Sequence, residues 1–349
     1  MRITKRFYDK TSKGIPIDIY ILSNSKGMVA EVINFGATLV SLKVPDKKGR
    51  LDDVVLGYDN LADYEKSQHC FGGIIGRCAN IIGGATIEID DVKYKLDKNE
   101  GENHLNGGFV GFHKVVWNAE VVWNNGQDAL ALTYTSEDGE GGYPGKLDVT
   151  VIYSLTDNNE LVISYHGTLD KDTIVNMTNQ SYFNLAGRSS GSILKHKLWI
   201  NGDKFIPINS NKIPTGEIQD VIGTPMDFTS PKAIGRDLES DFEQIAITKG
   251  YNHTWVLNTY GSLSEKAAEL VDESSGRVME VYTTKPGVQF GSGNFIDDDS
   301  RDRKSQYSKY SGLCLATQFF PDAVNNKNFP CPILRVGEEY KHTIIYKFI

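Results

Sequence analysis

The chain has 349 residues, 40% hydrophobic and 23% charged, with 34 Gly and 11 Pro; so much apolar side chain, without heptad or triplet period, excludes a disordered, collagenous or coiled-coil protein. Thirty-seven Lys plus Arg against 45 Asp plus Glu give a net charge of -8 with the signs interspersed, so the basic stripe that a nucleic-acid partner requires is missing. No apolar stretch approaches the roughly 18 residues that span a bilayer, and Met1 to Lys10 is polar. The expectation is a soluble, cytoplasmic protein with no nucleic-acid or membrane partner.

Taken in chain order, Leu61 to Lys66 is the first helical candidate, and it is short. Ala85 to Asp90, Leu147 to Tyr153 and Leu161 to Tyr165 alternate apolar and polar residues, the period of a half-buried strand rich in β-branched and aromatic types. Asn125-Gly126, Asp138-Gly139, Gly141-Gly142, Asn201-Gly202 and Ser275-Gly276 supply hairpin or loop chemistry between such runs. Ser262 to Ala268 is a second brief helical candidate. Strands and helices do not alternate as βαβ units, which argues against a parallel sheet. No linker or repeat divides the chain, so the predicted fold is all-β: one large antiparallel sandwich domain over residues 1–349. Cys70, Cys78, Cys314 and Cys331 show no CxxC spacing and are expected to be reduced.

Six segments are too particular in composition for ordinary strand and turn. They are Gly72 to Gly84, Asn103 to Trp117, Asn176 to Gly187, Lys249 to Val256, Lys285 to Phe295 and Gly312 to Asn325. Together with the closing Gly337-Glu338-Glu339-Tyr340, they make the chain resemble the galactose mutarotases, or aldose 1-epimerases, over essentially its whole length. The resemblance implies a large antiparallel β-sandwich with an open sugar cleft and no cofactor. It also implies interconversion of the α and β anomers of a free hexose such as galactose or glucose. A base takes the proton of the anomeric hydroxyl while an acid protonates the ring oxygen, so two groups of matched pKa must flank one hemiacetal.

Position by position, the resemblance puts Ile81 where the family has a sugar-binding arginine and Asn106 where it has a histidine. Gln180 stands at the acid histidine, Asn252 at an aspartate, and Ala316 at the glutamate base. Gly291 takes the place of a frequent aromatic. Ala316 has no proton-accepting atom and Gln180 does not exchange protons near neutral pH, so native activity is expected to be lost or very weak. The flanking Asn179, Tyr182, Phe183 and Asn184 are as in the family, a pattern of replacement rather than drift. It points to an inactivated mutarotase or an engineered, rebuilt pocket, with a non-catalytic sugar-binding pseudoenzyme as the alternative. Ile81, Ala316 and Gly291 together would make a cleft wider and less polar, suited to an apolar small molecule.

Other residues have two readings. Asn106 before Gly107-Gly108 fits a turn. His104 shares the face of Asn106 and is either a pocket contact or a structural hydrogen-bonding group. His113 is either a new base or an exposed loop histidine. Arg77 is the remaining cation near the cleft or a structural ion-pair partner, and Cys78 is a nucleophile or a small buried hydrophobe. Asp297-Asp298-Asp299 reads as a solvated loop without the spacing of an EF-hand. Trp117, Trp123, Trp199 and Trp255 read as core, and the sequons at Asn176, Asn179 and Asn252 as incidental. No histidine or cysteine pair has metal-ligand spacing, so no metal is expected.

Overall fold

The computed structural model describes residues 2–296 and 307–349, so the acidic run at 297–299 lies outside the described residues. Apolar alternation drives strand formation almost everywhere, and among the described residues every strand-to-strand ladder is antiparallel. One sheet has nine strands and another has six; a five-stranded sheet is built from the first strands, Arg2–Lys10 to Leu51–Asp53. The nine-stranded sheet begins as a meander, Asn118–Asn124, Gln127–Ser136, Leu147–Leu155 and Glu160–Leu169, and Tyr340–Phe348 from the far end of the chain adds to it. Asn125-Gly126 makes the first of its hairpins, with φ of 49° and 81° and Asn124 facing Gln127, as a two-residue turn demands.

The six-stranded sheet runs in the order Tyr182–Phe183, Leu313–Gln318, Gly287–Gly291, Asn252–Val256, Lys204–Ile206 and Gln219–Asp220. Its inward face meets the nine-stranded sheet in one apolar cluster that includes Val151, Ile163 and Ile344 from one and Trp255, Val288, Phe290 and Leu315 from the other. The Tyr346 hydroxyl donates to the Leu315 carbonyl at 3.2 Å across the two layers, and the Phe183 and Tyr346 rings lie 4.9 Å apart. Burial on this scale is the main stabilising term of the fold.

Helix Leu61–Lys66 forms as expected, capped by Asn60, whose Oδ1 accepts from the Asp63 N–H at 3.0 Å. Ser262 to Ala268 is not a helix. Ser262 Oγ is bonded to the Ser264 N–H and hydroxyl, and Ala268 opens the strand Ala268–Asp272; short-range serine bonds compete with helical ones. A helix at Glu243–Thr248 gave no sequence signal, being only six residues long with no side-chain cap. Trp117 and Trp255 are buried, but Trp123 is 75% exposed on an edge strand, contrary to its core reading. Among the described residues no helix is long and apolar enough to cross a membrane.

Candidate active-site cavity

Residues paired across an antiparallel ladder project from the same face. Ile206 faces Thr254, Thr254 faces Gln289, and Gln289 faces Ala316, so these four form one row across the six-stranded sheet. Asn252 and Gly291 pair in the next row of that face. The alternate row, His253 and Phe290, points into the core with Trp255 and Val288. Over the outer face lies a cavity of about 620 Å³. Ile206, Asn252, Thr254 and Gln289 form its floor, Asn80 and Ile81 one wall, and the loops Glu100 to Asn103 and Asn211 to Pro214 its mouth.

A clasp between two asparagines fixes the Ile81 wall. Asn80 and Asn106 both have left-handed backbones, φ 67° and 49°. The Asn80 N–H donates to Asn106 Oδ1 at 2.8 Å, and the Asn106 N–H donates to the Asn80 carbonyl at 3.1 Å. Asparagine tolerates this conformation better than most residues. Ile81 pairs with Leu105 just beyond the clasp. The Asp322 N–H donates to the Ile81 carbonyl at 2.9 Å and its Oδ1 accepts from the Gly83 N–H at 2.9 Å, tying this wall to the segment after Leu313–Gln318.

The polar floor is neutral. Thr254 Oγ1 donates to Gln289 Oε1 at 2.5 Å, and Gln289 Nε2 donates to Asn252 Oδ1 at 2.9 Å. Among the described residues, the titratable ones on the cavity are Glu100, Glu102, Lys212 and His253. Both glutamates are on the exposed loop, where Glu102 is ion-paired with Lys98 and held below the usual carboxylate range by it. Lys212 sits over the Phe295 ring at 4.4 Å. The His253 ring is turned to the core, 6.3 Å from Phe205, and burial takes its pKa down to about 3. Among the described lining residues no imidazole and carboxylate face each other across the cavity.

The residues singled out in the sequence are brought to this region unequally. Ile81 and Asn252 line the cavity. Asn106, besides its clasp, lines a second cavity of about 210 Å³ that shares Glu100 and Leu105 with the first. Ala316 belongs to the floor row but has no exposed surface, so its small size does not widen the cavity. At Gly291 an added Cβ would meet only Asn252 Oδ1, at 3.5 Å, which leaves room for a side chain. Gln180 is half-buried; its carbonyl accepts from the Gly72 N–H, and its own N–H donates to the Gly73 carbonyl.

His104, Arg77, His113 and Cys78 do not line the larger cavity. His104 is buried between Tyr143 Oη, 2.5 Å from Nε2, and the Asp97 carbonyl, 2.8 Å from Nδ1. Arg77 is sealed from solvent and holds Ser136, Thr173 and the carbonyls of Pro144, Gly145 and Glu137; its partners are neutral, not the ion pair expected of it. His113 lines the second cavity and is mostly buried, not an exposed loop residue; burial and Lys114 take its pKa down to about 3, too low for a base at neutral pH. Burial pushes the Cys78 thiol up to about 12, the opposite of an activated nucleophile. All four cysteines are free. Asn176 and Asn179 are buried with bonded amides, so neither sequon is open to a glycan. Among the described residues no three His, Cys, Asp or Glu side chains gather as a metal site.

The sequence reading missed Asn80, Thr254 and Gln289. Thr254 and Gln289 were within reach, since they stand two positions from Asn252 and Gly291 on alternating strands and therefore on the same face. The two mouth loops carry no such period.

The aldose 1-epimerase family model matches residues 18–347. The galactose mutarotase of Bos taurus is 44% identical over 320 residues, covering 91% of this chain and 90% of that protein. The aldose 1-epimerase of Escherichia coli strain K12 is 37% identical over 338 residues, covering 96% of each. Among solved structures, the galactose 1-epimerase of Lactobacillus acidophilus superposes with a TM-score of 0.88 at 27% identity, over 100% of this chain and 99% of that one.

Proposed function

The chain belongs to the aldose 1-epimerase family, and from that premise we propose that it holds a hexose in the larger cavity without interconverting its anomers. Opening a pyranose needs a group that removes the anomeric proton and another that protonates the ring oxygen, both in hydrogen-bond reach. At the positions the family resemblance gives to those groups stand Ala316 and Gln180. Each such group contributes typically 10²- to 10⁴-fold, so the loss of both leaves the rate at the spontaneous background. Binding survives this loss, because hydroxyl recognition needs hydrogen-bonding groups and not titrating ones. Asn80, Asn252, Thr254 and Gln289 supply such groups on the cavity wall. The observation that carries the reading is the neutral floor with its one imidazole turned to the core.

Binding and catalysis are tested separately. Galactose should raise the melting temperature in a concentration-dependent way, since a ligand of the native state must stabilise it. The fivefold variant Ile81→Arg, Asn106→His, Gln180→His, Asn252→Asp, Ala316→Glu should gain saturable mutarotation. No thermal protection at high galactose, or a fully restored fivefold variant without activity, contradicts the reading. A second reading, an apolar ligand, draws on Ile81, Leu105, Ile206, Ile208, Ile213 and Phe295 around the same cavity; it predicts protection by an aromatic compound and none by galactose.

A further inference from the structure

The floor of the cavity has a direction. Thr254, Gln289 and Asn252 share one face through the register of their two strands. The Thr254 hydroxyl donates to Gln289 Oε1 at 2.5 Å, and Nε2 of the same amide donates to Asn252 Oδ1 at 2.9 Å. The oxygen of Asn252 is thereby engaged, while its Nδ2 has no hydrogen-bond partner among the described residues and Asn252 lines the cavity floor. Its backbone N–H is engaged elsewhere, on His253 Nδ1 at 3.2 Å. We infer that these three residues form a one-way relay ending in a donor, so that Asn252 selects for an acceptor on the ligand.

The consequence is a specificity rule for the bound sugar, and it rests on the proposed binding of a hexose. An amide N–H pointing into a cavity must be met by a lone pair, or the bond is left unmade at the cost of a desolvated polar group. A hydroxyl meets it through its oxygen, so its proton is not needed there; a fluorine or an ether oxygen keeps an acceptor in place, and a plain C–H does not. A carboxylate at this position would behave oppositely, taking the Gln289 N–H on one oxygen and demanding a donor from the ligand with the other. The relay contains no titrating group, so the preference does not vary across neutral pH.

Two measurements on the full chain test this. The first needs no ligand: side-chain amide hydrogen exchange, with signals assigned by their loss in Asn252→Asp and Gln289→Glu. The Gln289 amide should be slowed and the Asn252 amide should exchange at the rate of a free asparagine; a protected Asn252 amide would mean the relay runs the other way and would overturn the proposal. The second is titration with the monodeoxy- and monodeoxyfluoro-galactoses. At one ring position the deoxy sugar should bind about tenfold more weakly than galactose while the fluoro sugar stays close to it. Gln289→Glu removes the donor to Asn252, which then turns its amide toward the new carboxylate and shows its oxygen to the ligand. In that variant the fluoro sugar should fall to the level of the deoxy sugar, and Asn252→Asp gives the same inversion should Gln289→Glu not fold. A fluoro sugar rejected by the unaltered chain as strongly as the deoxy one contradicts the relay. If no galactose binds at all, the sugar reading fails, and amide exchange alone decides the relay's direction.

Discussion

Beside the cavity wall, the guanidinium of Arg77 is packed against the Tyr143 ring, 5.4 Å from its centroid, with its N–H groups on neutral oxygens. Arg77→Met would leave several buried carbonyls without a donor, each costing roughly 1 to 3 kcal/mol. Urea denaturation should therefore show a loss of at least about 3 kcal/mol; a loss below about 1 kcal/mol would remove Arg77 from the framework. Four histidines tell a related story. Burial takes His113, His253 and His342 down to about 3, and His196 to about 4. Below pH 6.5 the unfolded chain therefore binds protons that the folded chain does not. Their contribution is fully present above that pH and is lost as pH falls toward 4, at up to about 1.4 kcal/mol per pH unit for each histidine. Denaturation from pH 7 to pH 4.5 should show this decline, and His253→Asn should make it shallower by one histidine's share; a pH-independent stability would be inconsistent with four imidazoles held neutral in the fold.

At the scale of elements, alternation carried most of what was legible. The runs at 147–153 and 161–165 are the middles of the strands Leu147–Leu155 and Glu160–Leu169, because a period of two matches a sheet with one buried face. The helical propensity of Ser262 to Ala268 was overridden by serine bonds and by the strand that follows. Trp123 shows the limit of composition: the edge strand that carries it runs past the core, and no local pattern reports where a sheet ends. The turn reading of Asn106 and its place in the site describe one geometry, since the left-handed residue that makes the clasp also lines the second cavity. Gly107 beside it has φ 88°, and a Cβ there would stand 1.9 Å from the Gly76 carbonyl oxygen. That contact is with backbone, so Gly107→Ala should lower the melting temperature by many degrees and abolish galactose protection. A variant with unchanged melting and unchanged protection would contradict the clasp as the support of the Ile81 wall.

For the whole molecule, the fold was readable because two large sheets need long alternating strands with one apolar face each. The membership of the family was readable because six separated segments agree, and the match over residues 18–347 bears this out. The cavity was less so. Of its lining residues the family resemblance pointed to Ile81 and Asn252, while Thr254 and Gln289 enter through the register of paired strands that a single sequence does not display. The reading of Ala316 as a widening of the cleft failed because Ala316, unlike Thr254 and Gln289 in the same row, has no exposed surface. What remains is a sugar-sized hollow with a neutral floor, and mutarotation of freshly dissolved α-D-galactose, followed by polarimetry, addresses it directly. The decay of optical rotation should be the same with and without the protein at every sugar concentration, whereas an acceleration that scales with protein and saturates with sugar would contradict the account.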